Sequence, residues 1–229
     1  GCGEMAGEMR AMALTMENDV EAFFPGFASQ EELPKLYNAA RIFMFPTQWD
    51  PWGVVANEAC AAGLPVLVTA DAGASGELVQ NGENGFVMPL ELESWVDAAV
   101  LLLTDHDLYA KLSNRSRELV SEYTFENAAS GIINAVLAAV GRNRPPRVVI
   151  VQRRMTHYRV PLFDLLRRKL AQNGVDLAVV YGDANAAEQK KKDLGFLAWG
   201  TYQTCRYWAN GKLCWRNLTK PLVGADLVI

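Results

Sequence analysis

Apolar residues along the chain follow two alternating rhythms. Residues 42–45 are a short continuous apolar run, the pattern of a strand covered on both faces, and 66–69, apolar up to Thr69, reads as the next buried strand. Residues 20–24, 85–88, 147–151, 175–181 and 225–229 are further strand candidates. Between them apolar positions recur at helical spacing: Leu33, Leu36 and Tyr37 within 30–40, then Leu92, Trp95, Val96, Ala99, Val100 and Leu103 within 91–103. Segments 107–122, 125–140 and 160–172 predict three more amphipathic helices, and 54–62 a shorter one stopped by Gly63. A short helix is expected over 76–80, and Asn210-Gly211, between aromatic and Cys/Leu runs, predicts a tight hairpin. Strands alternating with helices predict an α/β chain built on parallel sheets.

Charge divides this pattern in two. Six Lys and Arg face twenty Asp and Glu up to Gly141, whereas sixteen face six from Arg142 onward, within a net charge of −4 over 229 residues. Together with the Gly- and Pro-rich stretch GRNRPP, this predicts one domain over 1–141, a linker over 142–146 and a second domain over 147–229, whose first strand, helix and strand read as the start of a Rossmann-like unit. The basic half either attracts an anionic membrane surface or is an ordinary solvated face. No apolar run approaches the ~18 residues of a membrane span, and no signal peptide is visible. Cys2, Cys60, Cys205 and Cys214 have neither metal-ligand nor disulfide-framework spacing, so a reducing cytoplasm is expected, with Cys60 a small core residue. The start at Gly1 and the apolar end at Ile229 both read as cut, so a fragment is expected.

The chemistry concentrates in TQWDPWGVVANEACAAGLPVLV, residues 47–68. Asp50 lies in a Pro/Gly turn and Glu58 inside an apolar helix, where an unpartnered carboxylate would be costly. In open α/β sheets ligands bind beyond the carboxyl ends of the strands, where this turn lies, and the helix beginning near Gly53 directs its free amides there. Carboxylates for hydroxyls and helix amides for phosphate together suit a sugar nucleotide. The alternative is structural: Asp50 caps the helix and Glu58 meets an arginine.

From Val20 to Val140 the order of elements resembles the C-terminal, donor-binding domain of retaining GT-B glycosyltransferases of the group 1 family (glycosyltransferase family 4). LYNAARIFMFPTQWDPWGVVANEACAAGLPVLVTADAGASGELVQNGENGFVMP follows that family's pattern through the acid–Pro–Trp–Gly turn, Asn-Glu-Ala, Ala-Gly-Leu-Pro-Val and a later Gly-Glu. The resemblance implies a Rossmann-like GT-B fold and metal-independent transfer of a sugar, with retention, from a nucleotide-sugar to a hydroxyl acceptor. It puts Asp50 and Glu58 at the two acids of the Glu-x7-Glu motif, Glu58 on the ribose and Asp50 on the transferred sugar. Trp52, Gly53, Val54 and Glu77 would bind the donor, Glu77 from just after the Gly-rich turn, where ordering that turn is the alternative role. Asp50 departs from the usual Glu, which retracts the carboxylate by ~1.5 Å, and misplacement of that size costs about 10²-fold in rate.

RVVIVQRRMTHYRVPLFDLLRRKLAQNGVDLAVVYGD resembles the first βαβ of an acceptor-side N-terminal domain of the same kind. The chain therefore reads as the tail of one transferase and the head of a second, two partial domains, with the segment alone expected to be inactive. The resemblance implies that His157, Tyr158 and Arg159 face acceptor or lipid phosphate; a capping or packing role is the alternative. Asp105-His106-Asp107 spells a metal-binding Asp-x-Asp but falls between two helices and reads as a helix N-terminus. Trp199, Tyr202, Tyr207, Trp208 and Trp215 are expected in hairpin and core packing rather than stacked on nucleic acid, and Lys190–Lys192 on a solvated face. No metal, cofactor or nucleic-acid partner is expected. A non-catalytic sugar-nucleotide or scaffold module is the competing reading.

Overall fold

The computed structural model describes residues 5–16, 21–139, 146–189, 193–209 and 213–229. Cys2, most of the expected linker, the triple lysine and the Asn210-Gly211 turn lie outside them. The chain forms two compact units, residues 1–122 and 123–229.

In the first unit α1 (Ala6–Ala13) precedes α2 (Leu33–Ala39), β1 (Phe43–Phe45), α3 (Val54–Ala61), β2 (Val66–Thr69), β3 (Gly85–Met88), α4 (Leu92–Thr104) and α5 (His106–Val120). The three strands form a parallel sheet in the order β1-β2-β3. All four residues of the central strand β2 are buried, which explains its apolar run up to Thr69. Val66 and Val68 join the cluster of Ala56, Ala59, Cys60 and Leu78, while Leu67 between them joins Trp95, Leu102 and Leu112. The period-2 alternation of a strand thus divides β2 between two cores, α3 behind one and α4 with α5 behind the other. Asp105 accepts from the Leu108 amide (2.9 Å) as the cap of α5, the role its sequence context predicts.

Two expected elements are absent here. Residues 21–24 are exposed and pair with no strand among the described residues, and Phe23 is 77% exposed. Residues 76–80 turn instead of coiling: Gly76 adopts φ +78°, its amide donates to the Val79 carbonyl (2.9 Å), and both Leu78 and Val79 donate to Ala74. A left-handed glycine at the start gives the segment a tight turn before a helical ladder can begin.

In the second unit α6 (Phe125–Ala139) leads to β4 (Arg147–Arg154), a 3-10 turn (His157–Arg159), α7 (Val160–Gln172), β5 (Asp176–Gly182), α8 (Ala186–Gln189), β6 (Thr201–Tyr202), β7 (Arg206–Trp208), β8 (Leu213–Trp215), α9 (Thr219–Leu222) and β9 (Leu227–Val228). Four strands form a second all-parallel sheet, β6-β5-β4-β9, in which sequence order reverses at β4. Helix α6 was expected to close the first domain. Instead Ala129, Ile133 and Val136 pack with Phe163, Leu166 and Leu170 of α7 against Val148, Ile150 and Val179 of the sheet. The compact units therefore divide at residue 122 rather than 141.

β7 and β8 pair antiparallel as the expected hairpin, Tyr207 opposite Cys214. Its tryptophans do not enter a core: Trp208 is 51% and Trp215 55% exposed, because Arg206, Trp208, Leu213 and Trp215 share the outward face of a two-stranded ribbon while Tyr207 and Cys214 take the inner one. Trp199 is half-buried, its indole N–H donating to Asp164 (2.7 Å), and Tyr202 is exposed.

Leu170 is fully enclosed between α6, α7 and the second sheet. Leu170→Ala should cost about 2–5 kcal/mol. Hydrogen exchange should show faster opening of β4 and β5 amides, with those of β2 unchanged.

Candidate functional site

The carboxyl ends of β1 and β2 continue into two loops that run side by side. The Asp50 amide donates to Asp71 O (3.3 Å), Gly73 N to Asp50 O (2.9 Å) and Ala74 N to Trp52 O (2.7 Å), and the Thr69 hydroxyl donates to Thr47 O (2.5 Å). The parallel sheet is in effect prolonged past its strands by backbone pairing. Gly73 permits the approach, since a Cβ there would lie 2.1 Å from the Pro51 carbonyl oxygen. Within the first loop the Asp50 carboxylate accepts from the Trp52 amide (2.9 Å), and the Trp52 indole N–H donates to the Asn57 side-chain oxygen (2.7 Å).

Gly53 turns this loop into α3 at φ +84°, a conformation that favours glycine, and a Cβ there would also meet the Phe45 ring at 2.7 Å. Gly53, the N-cap residue, has no side chain with which to cap α3. The amides of its first turn, at the exposed Val54 and Val55, therefore remain available to an anion, and the helix dipole favours one there. The helix ends as its sequence predicts: Gly63 N donates to Cys60 O and Leu64 N to Ala59 O, the paired bonds of a glycine-terminated helix.

One turn further along α3, Glu58 is half-buried and accepts a hydrogen bond from the Tyr37 hydroxyl (2.9 Å). Burial, with the neighbouring Glu58 carboxylate, holds the Tyr37 phenol well above its ordinary range, so it remains a donor. Both residues line a hollow of about 320 Å³ whose other walls include Gln30, Leu33, Pro34 and Ala62. The apolar wall and the convergent polar pair are what a small-molecule site requires.

Asp50 is not among the residues lining that hollow. The structure brings Trp52, Gly53 and Val54 together at the start of α3 and puts Glu58 in the hollow that runs along the second half of the helix to Ala62, whereas the Asp50 carboxylate folds back onto its own turn. It does not cap α3, and Glu58 meets a phenol rather than an arginine. Glu77 is exposed on the turn after the Gly-rich loop. His157, Tyr158 and Arg159 belong to the second unit, all exposed in the 3-10 turn after β4, with Arg159 donating to Gln152 (2.7 Å). Sequence reasoning passed over Tyr37, Asn57 and Gly73. Tyr37 could have been singled out as a residue with a polar tip on an apolar stripe next to the acid-bearing helix; the close approach at Gly73 has no signal short of the fold.

Gly73→Ala should cost about 1–3 kcal/mol by forcing the 50–52 loop away, read as a lowered thermal midpoint of the first unit. A raised folded-state phenol contributes stability that is present below its unfolded value near 10 and lost as pH rises beyond it. Tyr37→Phe should therefore flatten the alkaline fall in stability above about pH 10, measured by denaturant titration across pH.

The family of glycosyl transferases group 1 matches residues 1–119. An uncharacterised glycosyltransferase of Methanocaldococcus jannaschii is 29% identical over 142 residues, covering 61% of this chain and 36% of that protein. A glycogen synthase of Mycobacterium tuberculosis is 34% identical over 133 residues, 56% of this chain and 32% of the relative. A D-inositol 3-phosphate glycosyltransferase of Nocardia farcinica is 30% identical over 141 residues, 61% and 31% of the two. Among solved structures, a sucrose-phosphate synthase from Thermosynechococcus elongatus aligns with a TM-score of 0.49 and 26% identity over 58% of this chain and 34% of its own. The chain spans about a third of the length of these curated relatives. With half of its residues matched by the family, the chain belongs to the group 1 glycosyltransferases.

Proposed function

We propose that the first unit holds the nucleotide-sugar donor of a retaining GT-B transferase that passes the sugar to a hydroxyl acceptor. The observation that carries this reading is the half-buried Glu58, fixed by the Tyr37 hydroxyl in a hollow along the second half of α3, one turn from that helix's start. Tyr37 occupies one carboxylate oxygen and leaves the other to accept from a ribose diol. Val54 precedes Glu58 by one turn, about 6 Å along the axis, so a diphosphate attached to that ribose would reach the first-turn amides. Leu33 and Pro34 offer the base an apolar wall. Relatives named as glycosyltransferases and as a glycogen synthase support sugar transfer as the reaction class.

In this reading the protein acts by positioning the donor and by stabilising the departing diphosphate with helix amides, without a metal. Asp50 serves the transferred sugar through its turn, and the order of the two units fits a fused pair of transferases. No helix among the described residues is long and apolar enough to cross a membrane. The basic excess after Arg142 supports peripheral attraction to an anionic bilayer face, and nucleic acid has no part in the reading.

A second reading, a module that binds the sugar nucleotide without turning it over, is favoured by one observation: the Asp50 carboxylate is engaged with the Trp52 amide and stands outside the hollow. Calorimetry with UDP-, ADP- and GDP-glucose, alongside assays of nucleotide release, separates the two when made on a full-length transferase carrying these residues, since this segment alone is expected to be inactive. Glu58→Ala should weaken binding of the preferred nucleotide sugar by about tenfold or more, through loss of charge-assisted hydrogen bonds. Asp50→Ala should bind within about twofold of the parent yet lose turnover, because its interaction is made with the reacting sugar. Unchanged binding in Glu58→Ala would overturn the donor-site reading, while binding without turnover in the parent would favour the module.

A further inference from the structure

The second unit carries a hollow of its own, outside the residues matched by the family. It opens at the carboxyl end of β4, the strand where the order β6-β5-β4-β9 reverses, which is where open parallel sheets receive their ligands. About 230 Å³ in volume, it is lined by Gln152, Arg153, Arg154, Thr156, Tyr158, Arg159 and Glu188, three guanidinium groups against one carboxylate.

The arginines are held in different ways. Arg153 pairs with both Glu188 oxygens, and Arg154 donates twice to Asp193 (2.6 and 2.9 Å) and lies 3.4 Å from Glu188. These two are fixed in place by acids and keep further N–H donors. Arg159 donates to the neutral Gln152 and pairs with no acid among the described residues, so its charge is uncompensated. Arg216 adds a fourth guanidinium close by, clamping the carbonyls of Gln152 (2.8 Å) and Arg153 (2.7 Å) and so fixing the end of β4.

Thr156 gives an independent indication. The residue lines the hollow and is 2% exposed, yet among the described residues its hydroxyl has no hydrogen-bond partner. A buried unsatisfied hydroxyl is costly enough to need an explanation, and a ligand oxygen supplies one. Immediately after it the chain enters the 3-10 turn and then α7, thirteen residues long, whose positive end adds to the same field.

From this arrangement we infer that the hollow binds a phosphoryl group, as a phosphate ester or diphosphate, with Arg159 the principal charge partner, Arg153 and Arg154 a preset donor wall, and Thr156 an inner donor. Several anionic oxygens on one small centre match forked guanidinium donors converging from different sides. The assignment stands on the second unit alone and does not depend on the donor reading of the first.

Titration calorimetry of the 229-residue chain with inorganic pyrophosphate tests it. Arg159→Gln alters an exposed side chain and Thr156→Val is nearly isosteric, so both should fold, as circular dichroism would verify. Each should weaken pyrophosphate binding by about tenfold, while Lys220→Gln, an exposed cation of the same unit, should change it less than about twofold. Flotation with phosphatidylcholine vesicles, with and without phosphatidic acid, distinguishes the source. Recruitment by phosphatidic acid that pyrophosphate displaces means a lipid head group, and pyrophosphate binding without recruitment means a soluble phosphate; either supports the assignment. No pyrophosphate binding by the parent, full affinity in both Arg159→Gln and Thr156→Val, or equal losses in Arg159→Gln and Lys220→Gln would overturn it.

Discussion

A carboxylate on an apolar helix needs a partner, and the rest of the first unit's site is arranged around that need. Glu58 faces a wall of leucine, proline and alanine where an isolated charge would be strongly disfavoured. The Tyr37 phenol resolves this with one hydrogen bond from the neighbouring helix. A phenol suits the task better than a cation would. It orients the carboxylate without neutralising it, so the negative charge and the second oxygen remain to act on hydroxyl groups.

The start of the same helix, where free amides point outward, depends on a different constraint. Its amides are useful only if the loop before it is fixed, and that loop has no regular structure of its own. Backbone pairing with the Gly-rich loop after β2 supplies the rigidity, and it is possible because Gly73 has no side chain to separate the two. The site thus draws on both strands, β1 for the helix entry and β2 for its brace, so changes in either loop should reach α3.

Much of this was legible in the sequence because the responsible forces are local. The apolar run at β2, the glycine that ends α3, the Asp105 cap and the βαβ unit of β4, α7 and β5 follow from periodicity and turn chemistry, and all are present at or near their expected bounds. Misreadings arose where a neighbour decides the outcome. Residues 21–24 have strand composition but join no sheet among the described residues, and residues 76–80 yield to a left-handed glycine. Trp208 and Trp215 have core composition but share the outward face of a ribbon. In the candidate site, the motif pointed to Glu58 and the helix start, but not to the Asp50 carboxylate turning back on Trp52 or to Tyr37 holding the acid.

The allegiance of α6 has a practical consequence. Chain order and charge suggest excising the second half from about Arg147, just past the Pro-rich stretch. Such a piece would leave Val148, Ile150, Leu166 and Leu170 without the cover of Ala129, Ile133 and Val136. A bared greasy surface of that kind invites clumping in the test tube. The natural seam for expressing either half by itself runs ahead of Tyr123, so that the helix travels with the sheet it roofs.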